Sequence, residues 1–318
     1  MNRRLAPVAV AAALALTATA CSSSGSPGGS ATDRGERLSV VTSFYPLQFA
    51  TQSIAGDAVD VTVLTKPGAE PHDLEIAAQD LSRLTRADLV VYSKGFQPAV
   101  DDAVEQVDAE HVVDVSPAAH LTLTAAEEAG HAGESEAQHA EHAEGGTDPH
   151  FWLDPQRYAS VAEAIRARLA ELDPERAATY DANAKAFVGR LTALDEEFET
   201  TLKGCTTKDL VTSHAAFSYL AERYGFEQHG IAGVSPEAEP SAAALAEITE
   251  LVKEHGVTTI YQETLVEPHF AETVASSSGA TVATLDPLEG ITDASAGSDY
   301  FEVMRSNLAA LEQGQNCS

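Results

Sequence analysis

Short runs of β-branched and apolar residues alternate along the chain with stretches whose apolar residues recur every three or four positions. Runs at 38–42, 59–64, 89–92 and 112–115 predict strands in the first half; 209–212, 257–262 and 281–285 predict strands in the second. Leu74, Ala77, Leu81 and Leu84 fall at helical spacing, as do Leu245, Ile248 and Val252, in a segment opened by Pro240-Ser241 and closed by Gly256. Strand–helix–strand order repeated in two blocks predicts an α/β fold of two lobes. Each lobe should carry a small, mostly parallel sheet flanked by helices.

A helical stretch separates the blocks. Val161, Ile165, Leu169 and Leu172 make one apolar stripe, and after Asp173-Pro174 a second runs through Phe187, Leu191, Leu194, Phe198 and Leu202. The expected organisation is an N-terminal lobe at 38–154, rigid connector helices at 155–204 and a C-terminal lobe at 205–318. Residues 122–146 have no apolar periodicity and are rich in Ala, Glu, Gly and His, so a disordered insertion is expected there.

The N-terminus changes the picture. Asn2-Arg3-Arg4, an apolar run of about fourteen residues and the small residues before Cys21 read as an export signal over 1–20. The run is too short to span a bilayer, which takes about 20 residues. A cysteine directly after the cleavage site resembles the lipobox of bacterial lipoproteins, with Ala18 where Leu is usual. The resemblance implies lipidation of Cys21, a lipid anchor to the cell membrane and an extracytoplasmic location. Residues 21–37, rich in Gly, Ser and Pro, would then be a flexible tether. With Cys21 acylated, Cys205 and Cys317 are the two cysteines left, and an exported protein can keep them as a disulfide.

The full chain carries 19 Lys+Arg against 49 Asp+Glu; removing residues 1–20, which hold two basic residues and no acidic one, leaves 17 against 49, a net charge of −32. So acidic a surface excludes nucleic acid and anionic head groups as partners.

The histidines sort by position. His72 follows the strand at 59–64 through "TKPGAEPHD", His214 follows 209–212 at "TSHAAF", and Asp286 ends the strand at 281–285 in "TLDPLEG". The carboxyl ends of strands in open α/β sheets are where ligands bind. His150 sits in "TDPHFWLDP", beside the chain's single tryptophan, and precedes the connector. Two prolines restrict the backbone there. Three imidazoles and a carboxylate suit a tetrahedral transition metal, although spacings of 78, 64 and 72 residues carry no local signature. His111, His120, His229, His255 and His269 read as surface or satisfied core residues.

"TSFYPL" from Thr42, "PGAEPHDLE" from Pro67, "TDPHFWLDP" from Thr147, "VTSHAAFSYLAERYG" from Val211, "SPEAEPSA" from Ser235 and "LDPLEG" from Leu285 together resemble the zinc and manganese receptor lipoproteins of ABC transporters, in particular the zinc-uptake branch. The motifs occur in family order across 38–318. The resemblance implies two α/β lobes joined by a long rigid helix, Zn²⁺ as cargo, a membrane permease as partner, a monomer without enzymatic activity, and His72, His150, His214 and Asp286 as ligands. It also implies auxiliary metal capture by His131, His139 and His142 in the insertion.

A manganese or iron receptor of the same family is the nearest alternative. A secreted zinc hydrolase would need an open coordination position and a base, for which Glu263 in "YQETLVEP" is the candidate; its other reading is a contact behind a ligand. An adhesin-like lipoprotein is the third class. If the insertion captures metal loosely, deleting 122–146 will lower the number of zinc ions bound at high zinc in equilibrium dialysis and leave the tightest site unchanged. Loss of the tight site would put a loop histidine in it.

Overall fold

The protein is described by a computed structural model over residues 37–124 and 146–318. The expected export signal, Cys21, the tether up to residue 36 and the insertion histidines His131, His139 and His142 lie outside the described residues.

The first block runs β1 (Leu38–Thr42), α1 (Tyr45–Ala55), β2 (Val59–Val63), α2 (Ala78–Leu84), β3 (Leu89–Tyr92), α3 (Pro98–Val104), β4 (Val112–Asp114) and α4 (Ser116–Ala119). Two long helices follow, α5 (Pro155–Leu172) and α6 (Ala177–Leu202). The second block runs β5 (Asp209–Thr212), α7 (Ser218–Tyr224), β6 (Glu227–Gly230), α8 (Ala242–His255), β7 (Thr259–Gln262), α9 (His269–Ser278), β8 (Thr281–Thr284) and α10 (Tyr300–Gly314). Each block makes one four-stranded sheet, ordered β2-β1-β3-β4 and β6-β5-β7-β8, and every strand pair is parallel. In both, the chain leaves the second strand in the order to one side and returns to the other, so a crevice opens above β1/β3 and β5/β7.

Alternation along the strands decides what each sheet face covers. Val40 and Val91 face a core that also holds Leu47, Trp152, Tyr158, Leu191, Phe198, Leu210, Leu220 and Tyr300, so one apolar cluster passes from the first sheet through the long helices to the second. Val41 and Val90 turn the other way, into a cluster with Leu84, Val100 and Val104. Val211 and Ile260 do the same in the second sheet, against Ile248, Val252 and Val274.

Helix α5 starts on Asp154, whose carboxylate accepts from Gln156 N at 2.8 Å, with Pro155 at the first helical position. Helix α6, 26 residues long, extends about 39 Å. Its buried residues Tyr180, Ala184, Phe187, Leu191, Leu194, Phe198 and Leu202 form one stripe, and it packs on α1 in one block and α10 in the other. Among the described residues, no helix is long and apolar enough to cross a membrane.

Two local expectations differ from the fold. Strand β6, "EQHG", carries no strand pattern in the sequence; as an edge strand it is paired only to β5 and buries little, so nothing selects apolar residues there. Helix α2 begins at Ala78, so Leu74 and Ala77 fall outside it; Leu74 still packs on the Leu84 cluster.

Cys205 and Cys317 are disulfide-bonded across 112 residues of sequence. The bridge ties the end of α10 to the segment entering β5, where Gln315 Nε2 also donates to Asp209 O at 3.0 Å. Loops of this length correspond to roughly 4.7 kcal/mol in the chain-entropy model, and measured values centre on about 2–4 kcal/mol. Replacing both cysteines by serine should destabilise the chain by about 2–4 kcal/mol in denaturant unfolding, with metal binding at the crevice retained. An unchanged unfolding midpoint would mean that the bridge is redundant with the α10 packing.

Candidate metal centre

His150 is placed by its own short motif. Asp148 Oδ1 accepts from the His150 backbone N–H at 2.9 Å and from Nδ1 at 2.8 Å, closing a turn that also aims the ring. Phe151, Trp152 and Leu153 are fully buried behind it. His214 stands two residues past β5, and Glu263 follows β7 directly; His214 Nδ1 donates to Glu263 Oε1 at 2.8 Å. These two residues come from the pair of strands that flank the second sheet's switch point. His72 enters from the loop after β2. Its backbone N–H donates to Glu70 Oε1 at 2.9 Å, and its ring meets Phe96 edge-on at 4.7 Å.

The three rings present their Nε2 atoms to a single oxygen, Glu289 Oε1, at 3.4 Å from His72, 3.1 Å from His150 and 3.4 Å from His214. His72 and His150 Nε2 are 3.3 Å apart, and all four donor atoms lie within 4.8 Å of one another. A tetrahedron with metal–ligand bonds of about 2.0–2.1 Å has edges of about 3.3 Å, so most of these separations need little change to hold an ion. His150, His214 and Glu289 are buried and His72 nearly so. The second nitrogens of His150 and His214 are each held by a carboxylate, an arrangement that fixes the tautomer and strengthens the facing nitrogen as a donor.

The expected carboxylate, Asp286, is not in this cluster. Its Oδ1 accepts from Leu288 N at 2.8 Å, while its backbone is clamped by Asn307, which accepts from Asp286 N at 2.9 Å and donates to its carbonyl at 2.7 Å. Asp286 therefore shapes the loop. Leu288, fully buried, adopts φ +59, a left-handed conformation that costs a leucine about 1–2 kcal/mol, and the next residue, Glu289, turns into the crevice. Trp152 Nε1 donates to Pro287 O at 2.7 Å and Tyr300 Oη to Trp152 O at 2.6 Å, locking this loop to the His150 motif. Glu289 stands in "LDPLEG", five residues beyond β8. Its only sequence trace is that it shares a motif with Asp286.

Charge in the cluster is shared. Burial alone would lower the His214 pKa, but Glu263 and Glu289 outweigh it and hold the imidazole well above its ordinary value. Burial likewise opposes His150, and Asp148 with Glu289 raises it. For His72 burial prevails and the pKa is lowered. Burial opposes ionisation of Glu289, yet the three imidazoles hold its pKa well below the usual carboxylate range. Glu70, half-buried and near the Glu289 charge, is pushed up to about 9 in the metal-free chain. Glu237, Glu239, Glu267 and His269 line a cleft that leads inward to Glu263. Of the remaining histidines, His111 Nδ1 bonds Asp88 O at 2.9 Å, and His229 and His255 share Asp209.

The sequence profile described as "Zinc-uptake complex component A periplasmic" (ZnuA) matches residues 40–314. The chain belongs to the ZnuA family. The "High-affinity zinc uptake system protein ZnuA" of Bacillus subtilis is 36% identical over 315 residues, covering 98% of each chain. The "Zinc-binding lipoprotein AdcA" of Streptococcus pneumoniae serotype 4 is 37% identical over 284 residues, 87% of this chain and 56% of AdcA. The chain thus spans about half the length of the AdcA relatives it matches. The solved Zn(II)-bound ZnuA-like domain of S. pneumoniae AdcA superposes with a TM-score of 0.71 at 34% identity, covering 88% of this chain and 99% of the domain. That ZnuA-family likeness extends over both sheets and the helices between them.

The raised His214 pKa has a measurable consequence. The imidazolium stabilises the metal-free chain fully below its unfolded value of about 6.5, and that contribution is lost as pH rises through the raised folded value. A cation that takes the site must displace this proton, so apparent affinity should fall with acid from a higher pH than an ordinary imidazole would set. Calorimetry at pH 7 in buffers of different ionisation enthalpy should register net proton release on metal binding; heats independent of buffer would contradict this charge state.

Proposed function

We propose that this chain is an extracytoplasmic receptor that captures Zn²⁺ in the crevice and delivers it to the membrane permease of an ABC importer. The carrying observation is the convergence of three imidazole nitrogens and Glu289 Oε1, drawn from loops of both sheets and from the His150 motif between them, at separations suited to a tetrahedral ion. The ligands in this reading are His72, His150, His214 and Glu289, with Asp148 and Glu263 supporting the rings. The zinc-binding and zinc-uptake names of the relatives support the cargo, and the lipoprotein name of the S. pneumoniae relative supports anchoring through Cys21.

A receptor rather than a hydrolase fits the carboxylates. Glu263 Oε1 is engaged by the His214 ring and Glu70 Oε1 by the His72 backbone N–H, so neither of these oxygens stands free as a base in the crevice. Four protein donors also fill a tetrahedral zinc ion and leave no position for water.

Glu289→Gln should weaken zinc binding by more than the roughly 100-fold that loss of an outer partner costs, while Asp286→Asn should cost less than about tenfold. Chelator competition on both variants reads this, and the reverse order would return Asp286 to the ligand set. A nitrogen-rich site should also favour zinc over manganese by a wide margin, and His214→Glu should narrow it. Comparable zinc and manganese dissociation constants in the unmodified protein would remove the zinc assignment.

A further inference from the structure

A second cluster of metal-ligating side chains lies at the opposite end of the second sheet. Asp209 begins β5 and Glu227 begins β6, and the two are register partners. His229 lies two residues along β6 from Glu227, on the same face. His255 is the last residue of α8, whose C-terminal end arrives beside them. Asp209 Oδ1 is 2.9 Å from His229 Nε2 and 2.8 Å from His255 Nδ1. Donor atoms of Asp209, Glu227 and His229 lie within 4.8 Å of one another.

We propose that Asp209, His229 and His255, with Glu227 at the rim, form a second and solvent-facing site for a divalent transition-metal ion. Two imidazoles with carboxylates select zinc, nickel or copper over calcium and magnesium. The ring nitrogens that now donate to Asp209 become ligands when a metal replaces their protons. Access is direct: the His255 side chain is 47% exposed and Glu227 is exposed. The carbonyl end of α8 adds a partial negative charge at the site. The nearby cations are engaged elsewhere, Lys208 over the Phe226 ring at 5.1 Å and Lys253 with Glu250 at 2.8 Å.

This site is separate from the crevice. Asp209 and His214 flank β5 at opposite ends, about 17 Å apart along an extended strand. The site therefore stands or falls independently of the ligand set proposed there.

The test compares untagged full-length protein, its crevice filled with zinc, with the His229→Ala/His255→Ala double variant. Equilibrium dialysis against excess Zn²⁺ should show one ion fewer per chain in the variant, because any insertion histidines contribute equally to both. Zinc-soaked crystals should give an anomalous peak between Asp209 and the two rings. An equal ion count in the two proteins would overturn the site and leave the trio as hydrogen bonds pinning α8 to β5 and β6. Should the double variant fail to fold, the exposed single change His255→Gln makes the same comparison, with retained zinc stoichiometry the overturning result.

Discussion

An ionised carboxylate removed from water persists only beside compensating charge. Glu289 is fully buried, and the three imidazoles around its Oε1 supply that compensation. The dependence runs both ways, because His150 and His214 keep their raised pKa values through the carboxylates that face them. A cation bound among these donors takes over the role of the shared protons. Most of the surrounding architecture can be understood as the means of bringing these four side chains from distant parts of the chain to one point.

The fold does this with two sheets of identical strand order. In each, the switch in winding direction leaves a gap where loops from neighbouring strands meet. His214 and Glu263 come from one such gap, and the His72 loop from the edge strand of the other sheet. The His150 motif contributes the remaining ring from outside either sheet. Its Trp152 reaches Pro287 in the loop that carries Glu289. The tryptophan thus couples the His150 motif to the loop that carries the left-handed Leu288 and Glu289.

Much of this was legible in the residues. The strands at 38–42, 89–92 and 209–212 coincide with β1, β3 and β5 because apolar β-branched runs buried on both faces leave few other options. Ser241 and Gly256 bound α8 as their capping chemistry requires: Ser241 Oγ accepts from Ala244 N at 3.1 Å, and Gly256 adopts φ +67. Three histidines that converge in the crevice were distinguishable by their place at strand ends or between prolines. The carboxylate was not. Strand-end reasoning identifies a loop, and Asp286 is the acid nearest the strand, but which acid turns inward depends on a left-handed Leu288 that only buried packing can hold. Strand β6 escaped for a related reason: its place is decided by pairing with β5, not by its own side chains.

The apolar cluster that runs from Val40 through Trp152 and Leu191 to Leu210 has a kinetic meaning. Swinging the halves apart about a hinge would expose part of it, at about 2.5 kcal/mol for each 100 Å² of apolar surface uncovered. The 26-residue α6, packed on both blocks, stiffens the body against such a swing. On the proposed receptor reading, an ion then leaves by movement of the loops that carry His72 and Glu289 rather than by a hinge between the two halves.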